Sequence, residues 1–440
     1  MKKLYIETLG CQMNKSDSER IAGILSYFGY IETENEKEAD LLIVNTCSIR
    51  QLSVDKAYSQ LGFWGRMKKE RPEIKIAIAG CTAAQDKERV FKRAPYVDLV
   101  FSSRSICRLP EFIKRVDSGE RVCETSENTP ETERNEYKIK RKPSVNAWLP
   151  IIEGCNNFCT YCIVPFTRGR ERSRAPEEII KEAQNIINEG FKEITLLGQN
   201  VDSYGKDLND KNITLANLIR SINALEGRFR IRFATSYPSD ITDDLLDAVS
   251  ECEKACRYFH IPMQSGNPRI LKEMNRRYTK EEYYAVVSKI RARFPEACIT
   301  SDFIAGFPSE TEEEFEDTLK AMEELELDYS NTAAYSPREH TKAAKMTDKF
   351  IDEETKSKRL ARLNDKNRIV CLKSNQKFLD KTLEVLIEGV TEKNGKRILN
   401  SRAGNNKIIH FENASKDIGS FARVKITKAQ TWCLYGISAD

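Results

Sequence analysis

Three cysteines stand close together in the sequence, Cys155, Cys159 and Cys162, with the spacing C-x3-C-x2-C. Thiolates are soft donors that stabilise the iron of iron–sulfur clusters. Three of them on one loop can hold three irons of a cubane cluster and leave the fourth iron open to another ligand. A zinc loop that lacks its fourth ligand is the alternative. Because the chain has only 3 histidines in 440 residues, we favour an iron–sulfur cluster at these cysteines, called here the compact triad.

Three further cysteines, Cys11, Cys47 and Cys81, each follow a strand-like segment and are separated by 35 and 33 residues. The carboxyl ends of parallel strands share one edge of a sheet, where ligands bind. We therefore predict that these cysteines, called the dispersed triad, converge on a second cluster. Three ordinary buried cysteines are the alternative, since Cys packs well in protein interiors.

The remaining cysteines and the histidines show no convergent spacing and are interpreted as structural. No apolar run approaches the ~18–20 residues of a membrane span, and the first residues lack the apolar core of a signal peptide. We expect a cytoplasmic protein without a membrane partner, in which 13 cysteines indicate metal or redox chemistry rather than disulfides. The residues interpreted as structural are Cys107, Cys123, Cys252, Cys256, Cys298, Cys371, Cys433, His260, His340 and His410.

The elements that position the dispersed triad form an α/β pattern. Predicted strands at Lys3–Thr8, Leu41–Asn45 and Lys75–Ala79 alternate with helical segments, which indicates an open parallel sheet in an N-terminal domain of residues 1–116. Residues 117–143 are polar and charged and are predicted to be an exposed linker that partly pairs with a neighbouring sheet.

The elements that position the compact triad form six β/α repeats within residues 144–372. This pattern predicts a partial (β/α)6 barrel, whose chemistry would lie at the carboxyl ends of its strands. The predicted strands are Ala147–Ile152, Glu193–Leu197, Arg230–Thr235, Tyr258–Pro262, Cys298–Ile304 and Leu327–Tyr335.

The last part, residues 373–440, contains short β-like runs separated by turn residues, which predicts a small β-barrel. Residues 371–440 hold 12 Lys and Arg against 7 Asp and Glu, a net charge of +5 in a chain whose total is +4. This concentration of charge makes the barrel a candidate for nucleic-acid binding.

These motifs resemble those of the methylthiotransferases of the radical S-adenosylmethionine superfamily, and the resemblance covers essentially the whole chain. It rests on Gly154–Cys162 with the Pro165–Arg174 segment after it, on Gly198-Gln199-Asn200, on His260–Gly266 and on Asp302–Glu310. The segments Gly10–Asn14 and Asn45–Arg50 resemble the MiaB type of this family. The resemblance implies a radical core in the middle and a TRAM RNA-binding module at the end.

The resemblance further implies a tRNA-modifying enzyme with two [4Fe–4S] clusters and S-adenosylmethionine. It implies methylthiolation of C2 of N6-(dimethylallyl)adenosine at tRNA position 37, beside the anticodon. One S-adenosylmethionine would give the radical and a second would give the methyl group. An electron donor such as flavodoxin or ferredoxin is expected, and the protein is expected to be a monomer.

Further residues are predicted to contact the cofactor or the RNA. The cofactor candidates lie at or just beyond predicted strand ends, and hydrogen bonding at the rim of the barrel is the alternative for each of them. The RNA candidates are arginines after the compact triad, for which solvated charge is the usual explanation, and basic residues of the C-terminal barrel. The cofactor candidates are Gln199, Ser236, Gln264, Asp302 and Gly306, and the RNA candidates are Arg168, Arg170, Arg172, Arg174, Arg402, Lys407 and Arg423.

Three other functions remain open from the sequence. The cysteines could serve only to fold an iron–sulfur or zinc RNA-binding scaffold. The enzyme class could be right and the substrate different, either threonylcarbamoyladenosine in tRNA or an Asp of a ribosomal protein.

Overall fold

The computed structural model describes residues 1–49, 51–126, 137–393, 395–413 and 415–439. Arg50, the acidic stretch 131–136 of the expected linker and Asp440 lie outside these ranges. Among the described helices, none has the length and apolar character needed to cross a membrane.

The N-terminal domain is built on a parallel sheet with the strand order β2-β1-β3-β4-β5-β6. The outer strands are only three residues long, too short for a sequence pattern to reveal, and the last one lies in the expected linker. The strands are β1 Lys2–Leu9, β2 Tyr30–Glu32, β3 Leu41–Thr46, β4 Lys75–Gly80, β5 Leu99–Phe101 and β6 Val122–Glu124.

Helices cover both faces of this sheet. Ile21 of α1 and Phe112 of α5 are buried against one face, and Leu61 and Trp64 of α2 are buried against the other. Since both faces are covered, the central strands β3 and β4 are buried along nearly their whole length, as is typical of parallel sheets. The helices are α1 Gln12–Tyr27, α2 Gln51–Glu70, α3 Cys81–Asp86, α4 Arg89–Arg93 and α5 Leu109–Asp117.

The middle domain is the predicted partial (β/α)6 barrel. Its six main strands are parallel and follow chain order in two three-stranded sheets, β7-β10-β11 and β12-β13-β14, joined by a bridge between Ile231 and Ala255. A short antiparallel pair, β8 with β9, closes the loop that carries the compact triad. The strands are β7 Asn146–Pro150, β8 Ile152–Glu153, β9 Arg172–Ser173, β10 Glu193–Leu197, β11 Arg230–Phe233, β12 Tyr258–His260, β13 Cys298–Ala305 and β14 Tyr329–Ala334.

The helices of the middle domain pack outside these strands around one apolar core. They are α6 Val164–Thr167, α7 Pro176–Asn188, α8 Leu215–Asn223, α9 Asp243–Glu251, α10 Pro268–Glu273, α11 Lys280–Arg293, α12 Glu312–Glu324 and α13 Glu353–Gln376. The last of them, α13, packs on β14 and leads into the C-terminal barrel.

The C-terminal part is a closed five-stranded barrel with the order β15-β16-β17-β19-β18, which confirms the predicted small β-barrel. The fifth strand, β19, was not among the predicted strands. Its strands are β15 Thr382–Lys393, β16 Lys396–Ala403, β17 Ile408–Glu412, β18 Phe421–Ala429 and β19 Leu434–Ser438.

Candidate metal centres and substrate site

The dispersed triad converges at the carboxyl edge of the N-terminal sheet. Leu9 of β1 pairs with Thr46 of β3, and Thr46 pairs with Gly80 of β4, so the three strands end side by side. The cysteines follow these ends by one or two residues. The thiol of Cys47 lies within hydrogen-bonding range of the thiols of Cys11 and Cys81.

A buried amide network supports this triad from behind. Asn14 Nδ2 donates to Asn45 Oδ1 (3.1 Å), and Asn45 Nδ2 donates to Ser18 Oγ (3.0 Å). Cys11 Sγ lies 3.3 Å from Asn14 Oδ1. Gly80 has φ of 86°, and a Cβ there would lie 2.5 Å from Asn45 Oδ1. The network therefore fixes the backbone that presents two of the thiols and leaves no space for a side chain at Gly80.

The electrostatics of this triad favour thiolates. The hydrogen bond from Cys47, together with the charge of Arg168, lowers the pKa of Cys11 to about 7 against the effect of burial. The same two groups, Cys47 first, hold the pKa of Cys81 well below its usual value. The pKa of Cys47 is raised by its hydrogen bonds to the other two thiols. Metal ligation needs deprotonated thiols, and two of the three are predisposed to it.

The compact triad lies on the loop after β8. The N–H of Cys162 donates to the carbonyl of Cys159 (3.0 Å), and the N–H of Cys155 donates to the carbonyl of Gly169 (3.1 Å). Arg276 Nη1 lies 3.5 Å from Cys159 Sγ. Burial raises the pKa of Cys155 to about 11 and that of Cys162 to about 12. These thiols therefore require a nearby cation to ionise.

The loop of the compact triad is held by residues from elsewhere in the domain. Asn275 Nδ2 donates to the carbonyl of Phe158 (3.0 Å), which supports the left-handed backbone of Phe158 at φ 48°. The N–H of Gly154 donates to Gln199 Oε1 (2.6 Å). Gln199, a predicted cofactor residue, thus lies directly beside this loop.

Buried polar atoms without protein partners cluster beyond the ends of β10 and β11. Asn200 Oδ1, both carboxylate oxygens of Asp202 and Ser236 Oγ have no hydrogen-bond partner of normal geometry within the part of the chain that the structure describes, although Ser236 lies close enough to Asp202 to lower its pKa. Unpaired buried polar atoms are costly, and their clustering indicates a ligand site. Ser236 was predicted to contact the cofactor, whereas Asp202 was not.

Asp202 is a buried carboxyl group at this site. Burial raises its pKa to about 8, and the nearby Asp240 carboxylate adds to the rise. The sequence signal that could have found it is its position four residues after Gly198, in the loop that follows β10.

The other predicted cofactor residues lie at the ends of β12 and β13. The N–H of Gln264 donates to the carbonyl of Asp302 (2.8 Å), and Gln264 has φ of 79°. Burial opposes ionisation of Asp302, but His260 and Asn331 hold its pKa below the usual value. Gly306 has φ of 71°, and its N–H donates to Glu310 Oε2 (2.7 Å).

Of the arginines after the compact triad, Arg168 and Arg174 are engaged inside the protein. Arg168 is 2% exposed, and its Nη2 lies 2.7 Å from Asp17 Oδ2. Arg174 Nη1 donates to the Pro150 carbonyl (2.7 Å). Because the fold uses these two guanidinium groups, we remove both from the expected RNA contacts.

The other two arginines of this segment are more accessible. Arg170 is exposed and lies over the ring of Phe158 (5.1 Å), and Arg172 is partly exposed on β9. Both remain candidates for RNA contact.

The basic residues of the barrel divide in the same way. Lys407 is buried and its Nζ lies 2.9 Å from Asp328 Oδ1 in the middle domain, so we also remove it from the RNA contacts. Arg402 is half-buried and paired with Glu388 (2.9 Å). Arg423 is exposed on β18, where alternate side chains face outward.

Comparison with known sequences assigns a model to each part of the chain. The model of the Radical SAM superfamily matches residues 149–322, that of Uncharacterized protein family UPF0004 matches residues 3–102, and that of the TRAM domain matches residues 361–438.

Close relatives match over the full length. A tRNA-2-methylthio-N(6)-dimethylallyladenosine synthase of Acetivibrio thermocellus is 45% identical over 99% of this chain and 91% of its own length. One of Clostridium perfringens is 45% identical over 99% of this chain and 97% of its own. The chain belongs to the radical S-adenosylmethionine methylthiotransferase family.

Solved structures of other proteins share the fold of this methylthiotransferase. The radical S-adenosylmethionine methyltransferase TsrM from Kitasatospora setae, with tryptophan and an S-adenosylmethionine analogue bound, superposes with a TM-score of 0.57. The two share 12% identity over 76% of this chain and 73% of that one. At this identity the match shows the fold alone.

Family membership implies a [4Fe–4S] cluster and S-adenosylmethionine, and the residues present fit both. Among the described residues, no three His, Cys, Asp or Glu side chains are arranged to hold a metal ion. The thiolates of a cubane each bind a different iron, so its ligands need not surround a single ion. The unpartnered oxygens of Asp202 and Ser236 fit a cationic ligand with hydroxyl groups, such as S-adenosylmethionine.

Proposed function

We propose that this protein methylthiolates C2 of N6-(dimethylallyl)adenosine at position 37 of tRNA, beside the anticodon. It uses two S-adenosylmethionine molecules, one as the radical source and one as the methyl donor. We propose that the compact triad and the dispersed triad each hold a [4Fe–4S] cluster. Of the alternatives, the non-catalytic scaffold does not account for the unpartnered oxygens at Asp202 and Ser236.

The observation that carries this proposal is the short segment that connects the two triads. Gly169 accepts the N–H of Cys155 at one end of this segment. The neighbouring Arg168 lies beside Cys11 and Cys81. Helix α6, on the same segment, contacts α3, which begins at Cys81. These contacts support the proposal that the two triads share a region between the domains, as transfer of sulfur to a radical-activated base requires.

The polar residues beyond the ends of β10 and β11 would bind and orient S-adenosylmethionine beside the compact triad. When bound at the compact triad, the cluster supplies the electron that cleaves S-adenosylmethionine, which gives the radical that removes hydrogen from adenine C2. A base or acid side chain cannot remove this unactivated hydrogen, so the cofactor must do so. The protein contributes position and the exclusion of water.

Asp202 supports binding of a cation at this site. Its pKa of about 8 reflects burial, and a nearby positive charge would favour the ionised form. S-adenosylmethionine carries a sulfonium and an ammonium group. We therefore assign Asp202, with Ser236 and Gln199, to the cofactor site.

The RNA would reach the shared region as an unstacked loop. Base chemistry requires the target nucleotide to leave its stack, which costs least in single-stranded loops. The exposed basic side chains of β18 and the exposed Arg170 lie on surfaces suited to phosphate contacts.

Nucleoside mass spectrometry tests this function. The tRNA of a strain without this protein should lack 2-methylthio-N6-(dimethylallyl)adenosine and accumulate the unthiolated nucleoside. The wild-type gene should restore the product, and a gene encoding Cys47→Ala should not. Loss of methylthio-threonylcarbamoyladenosine instead would assign the other tRNA substrate. An unchanged nucleoside profile would reject the proposed function.

A further inference from the structure

Arg168 is a buried arginine whose charge lies beside the dispersed triad. It follows Cys162 by six residues, yet its guanidinium group lies beside the thiols of Cys81 and Cys11 in the other domain. Its side chain is 3% exposed. A cation in this position belongs to the environment of the dispersed triad, although the sequence places it with the compact triad.

Only part of the hydrogen-bonding capacity of Arg168 is satisfied. Nη2 donates to Asp17 Oδ2 (2.7 Å), and the Asp17 carboxylate is 2% exposed. Nη1 is buried and has no hydrogen-bond partner of normal geometry in residues 1–49, 51–126, 137–393, 395–413 and 415–439, although the guanidinium group lies within hydrogen-bonding range of the Cys81 thiol. A buried donor without a partner is costly, so the site is complete only when an acceptor lies opposite Nη1.

We propose that Arg168 Nη1 donates a hydrogen bond to an anionic sulfur atom held at the dispersed triad. This inference rests on the proposed function, because it requires the second cluster. The acceptor is a sulfide of that cluster or the sulfur bound at its open iron. Arginine suits this position because its charge is permanent and its planar group donates in two directions, here to Asp17 and to sulfur.

The stability of the domain interface alone does not explain why an arginine, rather than a lysine, pairs with Asp17. Bonding between the domains needs only the Nη2–Asp17 contact. A lysine, with one nitrogen, would serve that purpose. The second donor beside Cys11 and Cys81 has a role only when anionic sulfur is held at these cysteines.

The reduction potential of the second cluster tests the inference. The background is the full-length chain with Cys155→Ala, Cys159→Ala and Cys162→Ala, so that only the dispersed triad binds iron. Arg168→Met removes a positive charge and a donor, and we expect a more negative midpoint potential. Asp17→Asn removes a negative charge and leaves Nη1 in place, and we expect a shift in the opposite direction.

The hydrogen bond from Arg168 Nη1 is detected through its exchangeable proton. In electron–nuclear double resonance of the reduced cluster after exchange into D2O, the background and Asp17→Asn proteins should show a deuteron coupling that Arg168→Met lacks. Thermal unfolding of the metal-free proteins identifies variants that do not fold. If Arg168→Met misfolds, Arg168→Lys is measured in its place and should lose the same coupling.

The outcomes separate this inference from the proposed function. If the background protein assembles no cluster by iron and sulfide analysis, both are overturned. If a cluster assembles, but its potential and deuteron couplings are the same with and without Arg168, Arg168 is only an interface residue and this inference alone is overturned.

Discussion

Lys407 Nζ lies 2.9 Å from Asp328 Oδ1 across the boundary between the C-terminal barrel and the middle domain, and both side chains are less than one-tenth exposed. Ser374 Oγ also accepts from Lys407 Nζ (2.9 Å). A second ion pair, Lys381 with Glu296 (2.7 Å), crosses the same boundary but is exposed. Buried Arg230 and Arg232 of the middle domain also donate to carbonyls of the barrel. Lys407 is a buried cation that the barrel itself contributes to this boundary.

Removing that cation should weaken the docking of the barrel. Lys407→Met leaves the Asp328 carboxylate buried without its partner, and breaking a buried pair in this way costs about 3–5 kcal/mol. Lys381→Met should cost about 0.2–1 kcal/mol because its pair is exposed to solvent. Chemical denaturation gives both values. Equal losses for the two variants would contradict the assigned role of Lys407.

The two triads should fail in different ways when mutated. Cys155→Ala should abolish cleavage of S-adenosylmethionine, since the compact triad would hold the cluster that reduces it. Cys47→Ala should retain part of that cleavage and form no methylthio product. Both products are measured by mass spectrometry after anaerobic reconstitution. Methylthio product from Cys47→Ala would refute the role of the dispersed triad.

Asp202→Asn should weaken binding of S-adenosylmethionine about tenfold or more, because it removes a buried carboxyl group that would ionise beside a cationic ligand. The exposed Asp210, in the same loop region, provides the control. Asp210→Asn should bind as the wild type does. Calorimetric titration of the reconstituted protein measures both, and unchanged affinity in Asp202→Asn would remove this residue from the cofactor site.

Glu310 should make the stability depend on pH. Burial raises its pKa to about 7 from an ordinary value of 4.5, against the opposing contacts of Gly306 and Arg359. Between these values the folded protein keeps a proton that the unfolded chain releases. The free energy of unfolding therefore falls as the pH rises through this window.

Glu310→Gln removes this dependence, because the amide does not titrate. We expect its stability to fall less between pH 5 and 7.5 than that of the wild type, by on the order of 2 kcal/mol. Glu313→Gln, at an exposed position on α12, should keep the wild-type slope. Parallel slopes for wild type and Glu310→Gln would contradict the raised pKa.

The barrel face that carries Arg423 and Lys425 should contribute to RNA affinity. Both side chains are exposed on β18. Arg423→Ala with Lys425→Ala should weaken tRNA binding and reduce the slope of log K against log salt by about 1–2, as expected for two lost phosphate contacts. A control pair, Lys320→Ala with Lys358→Ala on exposed helix positions, should leave the slope unchanged. Equal slopes in all three proteins would exclude this face.

The sequence alone predicted where in the fold the cysteines of the two triads lie, because cysteine spacing and strand ends are local features. It was not sufficient for Arg168, which looked like one of several solvated arginines until the fold buried it against Asp17, 151 residues away in the chain. Asp202 was missed for a similar reason. What marks it is the lack of partners in a buried site, a property of tertiary structure that no spacing encodes.

Strand prediction failed where strands were short. Strands β2 and β5 have three residues each, too few to establish a periodicity, and are held by pairing with longer neighbours. Strand β19 completes the barrel by a parallel pairing with β17, which depends on the whole barrel rather than on its own residues.

The ion pair between Asp17 and Arg168 also restricts which domains of related proteins can be combined with those of this chain. Each residue comes from a different domain, and each would be left as a lone buried charge if the other were absent. A chimera that takes its first domain from a relative must therefore inherit a compatible partner at both positions. The N-terminal and middle domains would therefore have to be exchanged together, even though each has its own hydrophobic core.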